Sequence, residues 1–342
     1  MAFSAVELCA GAGGQALGLE GAGFHHAAAV EYEPQFCTTL RTNRPSWNVL
    51  QQDIRNFRAK DFHGIDLLAG GVPCPPFSIA GKQLGASDER DMFPTALEII
   101  AECQPRAVML ENVPGFASEK FKSYRERLQK TLAKQGYQTE WRILQASDFG
   151  VPQLRPRFVL VALRPADAEH FSWPLPMGKS DTVGEVLVGL MSENGWLGAE
   201  AWAKRANSIA PTIVGGSKKH GGPDLGPTRA KQKWRTLGVD GMGIANDAPS
   251  ATFPIDGLPR LTIPMVARLQ GFPDGWKFTG KKTAAYRQMG NAFPPPVAKA
   301  VGLAIIAAFE RRSKPGALAL ELRLLEKSPT YKASCQKRDR KR

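Results

Sequence analysis

With 342 residues and 43% hydrophobic content, the chain is long enough for one large folded unit and a smaller one. Its five scattered cysteines (Cys9, Cys37, Cys74, Cys103, Cys335) exclude a disulfide framework and lack the paired spacing of a metal site, so no metal is expected. The net charge of +13 is concentrated: residues 201–240 carry eight Lys and Arg against Asp224 and Asp240, and residues 311–342 carry eleven against Glu321, Glu326 and Asp339. A polyanionic partner such as nucleic acid is expected for the internal segment, while the tail also reads as a solvated charge run. No window approaches 18 uncharged apolar residues, and residues 1–7 reach Glu7 without a basic stretch or apolar signal core. The expectation is therefore an intracellular, cytoplasmic protein that does not enter a membrane.

Phe3 to Leu8 reads as a buried strand running into the glycine turn Gly11, Gly13, Gly14 and a helix from Gln15 to Gly21. Glycines allow the tight turn and a close backbone approach, and a helix start offers free N–H groups to a ligand, although a tight turn alone would leave the same pattern. A second strand, His26 to Val30, ends in Glu31, where an acid can accept from ribose hydroxyls; a third, Asn48 to Leu50, leads to Asp53. The apolar run Ile65 to Ala69 then delivers Pro73-Cys74-Pro75-Pro76. Prolines of fixed φ would hold Cys74 out at the strand end as a nucleophile, or else Cys74 is a small buried hydrophobe. The polar, glycine-bearing stretch from Ser78 to Arg90 suits a lid, and Met92 to Cys103 resumes a helix.

A fifth strand, Ala107 to Leu110, ends in Glu111-Asn112-Val113. Beside an apolar run that carboxyl would have its pKa raised and could donate a proton, or it is a turn acid. The helix Glu119 to Gln135 and the stretch Thr139 to Gln145 lead to Gln153-Leu154-Arg155-Pro156-Arg157 and the strand Phe158 to Leu163. Alternation puts Gln153, Arg155 and Arg157 on one side, facing an acidic or carbonyl-rich partner. From Ser172 to about Phe278 the composition turns to Gly, Pro, Lys and Trp with short, weak strand signals. Here Lys218, Lys219, Arg229 and Arg235 are candidate phosphate or base contacts. Gly290-Asn291-Ala292 then precedes an apolar helix from Val297 to Phe309.

In order and content these blocks resemble the C5-cytosine DNA methyltransferases from Val6 to about Phe309. The resemblance implies an α/β fold: a Rossmann-like S-adenosylmethionine-dependent methyltransferase sheet with a second, smaller, irregular target recognition domain. The expected boundaries are 1–173 and 282–312 for the catalytic domain, 174–281 for target recognition and 313–342 for a basic tail. It implies Cys74 as the nucleophile toward cytosine C6, Glu111 as the acid at N3, and Arg157 holding the base at O2 with Arg155 nearby in the catalytic set. The cofactor S-adenosylmethionine, leaving as S-adenosylhomocysteine, would be held by Glu7, Cys9, Gly11, Gly13, Gly14, Glu31, Tyr32, Asp53, Ile54, Phe93, Asn291 and Ala292. DNA contacts would come from Ser78, Arg90, Gln153, Lys218, Lys219, Arg229 and Arg235.

The expected partner is double-stranded DNA, with the enzyme acting as a monomer beside a separate cognate restriction endonuclease. The same chemistry on RNA, or a catalytically dead DNA-binding regulator, are the alternatives. Three positions depart from the family pattern: Cys9 stands where a phenylalanine is usual, Pro75-Pro76 follow the nucleophile, and Pro264-Met265 replace an Arg-Glu pair.

Overall fold

A computed structural model describes residues 2–73, 91–216 and 222–313. Seven strands form one sheet: β1 (Phe3–Leu8), β2 (Phe24–Glu31), β3 (Val49–Gln51), β4 (Leu67–Gly70), β5 (Ala107–Asn112), β6 (Gln138–Gln145) and β7 (Pro156–Leu163). Their order is β3-β2-β1-β4-β5-β7-β6; the pairs among β1 to β5 are parallel, and β7 runs antiparallel to both β5 and β6. The order reverses between β1 and β4, so their carboxyl ends diverge into a crevice where a ligand can sit. Strands β4 and β5 are apolar without alternation because both faces are covered.

Helices α1 (Gly14–Ala22), α2 (Pro34–Asn43), α3 (Phe93–Cys103) and α4 (Lys122–Lys134) cover the faces, with short α5 (Pro165–Ala168) following β7. The expected helix from Glu119 begins instead as a 3-10 turn, Glu119–Phe121. At the far end of the chain α10 (Lys282–Asn291) and α11 (Pro295–Ser313) return to the sheet. Helix α11 packs on α1 so closely that a Cβ on Gly18 would run into the carbonyl oxygen of Pro295. By length and composition the stretch Lys282–Arg311 could cross a membrane, but 61% of its apolar window is buried within the protein.

Residues 174–281 are helical rather than strand-like: α6 (Val183–Ser192), α7 (Ala199–Arg205), α8 (Thr228–Thr236) and α9 (Ile263–Leu269). The weak strand signals lost to local helix chemistry. Thr182 and Glu185 form a reciprocal capping box at the start of α6, and Val183, Leu187 and Met191 recur at helical spacing toward the interior. Trp202 and Trp234 are wholly buried in this core, and Trp276 joins it to Trp47 on the sheet side.

Candidate active site

A cavity of about 620 Å³ lies along the carboxyl ends of β2, β1 and β4. Glu7, near the end of β1, is 1% exposed and lines it. Burial pushes its carboxyl well above the ordinary range, and Oε2 has no hydrogen-bond partner within the protein. Cys9 follows in a left-handed conformation (φ 54°), unusual for a residue with a side chain, and Gly11 repeats it at φ 57°. That turn brings the Gly11 N–H to Glu31 Oε2 at 2.7 Å, while the Glu33 N–H donates to Oε1 at 2.7 Å. Glu31 is thus fixed at the mouth, its pKa raised by burial against these two bonds.

Helix α1 starts at Gly14, where a Cβ would run into the carbonyl oxygen of Phe293; only glycine lets the returning chain form this wall. Asn291 and Ala292 line the same wall of the cavity, and Gly11, Tyr32, Asp53 and Ile54 line its other walls. Asp53 is bound to Arg55 through Nε at 3.0 Å and Nη2 at 2.6 Å, which holds its carboxyl below the ordinary range. Glu7, Glu31, Glu33 and Asp53 make this an acidic cavity. It suits a ligand bearing positive charge and hydroxyls, and disfavours a pyrophosphate.

Two expected contacts fall elsewhere. Gly13 has φ 87° at the cap of α1, and its missing side chain makes room for Leu40 and Trp276 rather than for a ligand. Phe93 is 2% exposed and stacks on Phe116 with ring centroids 5.2 Å apart; the preceding residue, Met92, reaches the cavity. Sequence reading also passed over Gln15, Phe36, Arg55 and Phe293, which line it. The available signal was position: Phe36, Arg55 and Phe293 lie within a few residues of a strand-end acid or of the Gly290-Asn291-Ala292 block, and Gln15 directly follows the glycine turn.

The cavity continues toward β4 and β5. Glu111, in the last turn of β5, pairs with Arg157 from β7, Nε to Oε1 at 2.9 Å, with side chains 13% and 11% exposed. The antiparallel register, Leu110 opposite Leu160 and Asn112 opposite Phe158, brings the two strands' ends together here. Burial raises the Glu111 pKa, opposed by Arg157 and then Arg155. A Cβ on Gly71 would lie 3.1 Å from Glu111 Oε2, so the chain leading to Cys74 passes directly beside this carboxyl. Asn112 Nδ2 donates to the Val72 carbonyl at 3.0 Å, and the Met92 N–H donates to the Pro73 carbonyl at 3.1 Å. The backbone on both sides of residues 74–90 is therefore anchored. Cys74 itself, with Ser78, Arg90, Lys218 and Lys219, lies outside the described residues.

Gln153 and Arg155 do not meet this cavity. Both are fully buried, and the expectations of Gln153 as a DNA contact and of Arg155 in the catalytic set beside Arg157 meet a different use of their polar groups. Gln153 donates to the Leu269 carbonyl and Gln270 Oε1 and accepts from the Ile213 N–H; Arg155 donates to three backbone carbonyls. Alternation did put the three side chains on one inward side, but Arg157 alone reaches a carboxylate. Arg229 and Arg235 are exposed on α8, and Arg235 and Gln232 line a second cleft of about 630 Å³ with Asp240 and Met242.

Residues 3–307 match the family model of the C-5 cytosine-specific DNA methylases. The chain belongs to this family. It is 55% identical over 332 residues to Type II methyltransferase M.NaeI of Lentzea aerocolonigenes, spanning 96% of this chain and 80% of that one. It is 52% identical over 316 residues to Type II methyltransferase M.NgoMIV of Neisseria gonorrhoeae, spanning 92% and 100%. The fold matches the crystal structure of a Spodoptera frugiperda DNMT2 mutant at a TM-score of 0.61 and 19% identity, covering 90% of this chain and all of that one. S. pombe Dnmt2 methyltransferase matches at 0.58 and 20%, covering 92% and 99%. The chain is therefore an enzyme for methylation of cytosine in DNA at C5.

Proposed function

We propose that the chain is the modification methyltransferase of a Type II restriction-modification system, working on double-stranded DNA with S-adenosylmethionine as donor. The observation that carries the reading is the buried Glu111–Arg157 pair beside Gly71, three residues before Cys74. The residues fit the donor: Glu7 offers an unpartnered buried carboxyl oxygen to an ammonium, Gln15 Nε2 is likewise unpartnered, and Glu31 stands ready for ribose hydroxyls. When bound, S-adenosylmethionine supplies an electrophilic methyl on a cationic sulfur, which the acidic wall complements.

Cytosine C5 is a poor nucleophile until the ring is activated. The Cys74 thiolate adds to C6, and Glu111, its pKa raised by burial, serves as the acid that delivers a proton to N3; the ring becomes an enamine whose C5 is the nucleophile toward the methyl. Arg157 orients Glu111 and offers its remaining N–H groups to the base carbonyl at O2. Loss of the C5 proton to water, return of the N3 proton to Glu111 and expulsion of the Cys74 thiolate restore the C5=C6 bond and the acid. Because C6 is inaccessible in a stacked duplex, the base must be turned out into the cavity, as methyltransferases generally require.

In this reading residues 174–281 read the target, Arg229 and Arg235 on α8 supply cations for phosphate or base edges, and Lys218, Lys219, Ser78 and Arg90 supply further DNA contacts. The enzyme works in the cytoplasm as a monomer, with its endonuclease as a separate protein. Cys74→Ser tests the covalent route: labelled methyl incorporation into duplex DNA is lost, and wild-type protein forms a denaturation-resistant adduct with a duplex carrying 5-fluorocytosine. Undiminished incorporation by the variant contradicts the mechanism.

A further inference from the structure

Arg155 sits at the junction of three segments that are far apart in sequence. Its Nη1 donates to the Ile213 carbonyl at 2.5 Å, and its Nη2 to the Gly290 and Ala292 carbonyls at 2.7 and 2.9 Å. Gln153 completes the junction, accepting the Ile213 N–H at 2.9 Å and donating to Gln270 Oε1 at 2.7 Å, while Gln270 Nε2 donates to the Met289 carbonyl at 2.6 Å. A wholly buried guanidinium whose Nη groups meet carbonyl oxygens and whose Nε has no hydrogen-bond partner among the described residues is costly, so its position has to be held by the surrounding fold.

The carbonyls it gathers are not arbitrary. Gly290 and Ala292 flank Asn291 on the cofactor wall. Ile213 begins an extended strap, residues 213–216, that leads to the basic stretch containing Lys218 and Lys219. Strap and wall meet backbone to backbone: a Cβ on Gly215 would lie 2.6 Å from the Arg287 carbonyl oxygen and 2.8 Å from Asn291 Oδ1, and one on Gly290 would run into Gly215 N. Asn291 Nδ2 also donates to the Gly216 carbonyl at 3.2 Å. One fork-shaped donor therefore sets the position of the Gly290–Ala292 wall of the cavity and of residues 213–216 together.

We infer that Arg155 is a positioning residue that clamps the cofactor wall to the recognition strap, and that it does not touch the base. The inference rests on the cavity being the S-adenosylmethionine site. Lysine at this position keeps the charge but cannot span three carbonyls, so Arg155→Lys should weaken S-adenosylhomocysteine binding to the DNA-free protein about tenfold, as for the loss of one charge-assisted hydrogen bond. The KM for duplex DNA should rise by a similar factor, with kcat within about threefold of wild type. Gly215→Ala, which leaves Arg155 in place and wedges the same contact from the strap side, should give the same split.

Calorimetric titration with S-adenosylhomocysteine, steady-state kinetics on a duplex and thermal melts of both variants decide the matter. Folded variants with unchanged ligand affinity and KM, or with kcat falling only in step with the folded fraction, overturn the assignment. Failure of both variants to fold also overturns it, because the contact is then a requirement of the core. A wild-type protein that binds no S-adenosylhomocysteine refutes the reading of the cavity; wild-type binding with no change in the variants refutes the role of Arg155 alone.

Discussion

Replacing Arg157 by methionine leaves Glu111 buried without the cation 2.9 Å away, and the consequence depends on pH. Removing one partner of a buried ion pair costs about 3–5 kcal/mol while the other charge persists. Glu111 has a way out, since burial already raises its pKa and the loss of Arg157 raises it further. Above the unfolded value of about 4.3 the folded protein then holds a proton that the unfolded chain has released. Stability falls as pH rises toward the folded pKa, by up to about 1.4 kcal/mol per pH unit, and is level below the unfolded value. Relative to wild type, Arg157→Met should therefore lose only about 1 kcal/mol at pH 5, the cost of an ordinary hydrogen bond. The loss should grow toward about 3–5 kcal/mol at pH 8. Urea denaturation of both proteins at the two pH values measures it, with activity as a control that falls at both. An equal loss at pH 5 and pH 8 would refute the view that Arg157 is what keeps Glu111 from binding its proton too tightly.

Glu31→Ala removes the acceptor of the Gly11 and Glu33 N–H groups together with the acid at the cavity mouth. Affinity for S-adenosylhomocysteine should drop roughly 10- to 100-fold by calorimetry, the range for charge-assisted hydrogen bonds, with little change in the KM for DNA. Trp202→Ala empties a fully buried site in the 174–281 core and orphans the Gly238 carbonyl that the indole N–H meets at 3.0 Å. The variant should lose about 3–5 kcal/mol in urea denaturation, and a loss below 1 kcal/mol would mean that this core is not close-packed.

The strand ends were legible in the sequence because chemistry and periodicity coincide there. Glu7, Glu31, Asp53 and Glu111 each close an apolar run, and a parallel sheet leaves such acids at one edge. Glycines were less readable: Gly11 shapes the cavity, whereas Gly13 in the same turn serves Leu40 and Trp276, and nothing local distinguishes them. Phe93 and Met92 differ by one helix position, about 100° around the axis, which is below what strand-and-helix patterning resolves. Arg155 and Gln153 were misread for a different reason. Polar side chains beside a catalytic block suggest substrate contact, but their partners are backbone carbonyls and amides from residues 58 to 135 positions away, which sequence spacing does not display. The helices of residues 174–281 were hidden by short length and by the Gly, Pro and Lys between them, although the Thr182 and Glu185 capping box was there to be read.

The most direct test of the central claim is to identify the methylated nucleoside. Purified protein is incubated with unmethylated duplex DNA and S-adenosylmethionine carrying a labelled methyl, and the DNA is digested to nucleosides and separated. All label should run as 5-methyldeoxycytidine, and none should be transferred by Cys74→Ser. Label in N4-methyldeoxycytidine or N6-methyldeoxyadenosine, or no transfer by the wild-type protein, would contradict the account.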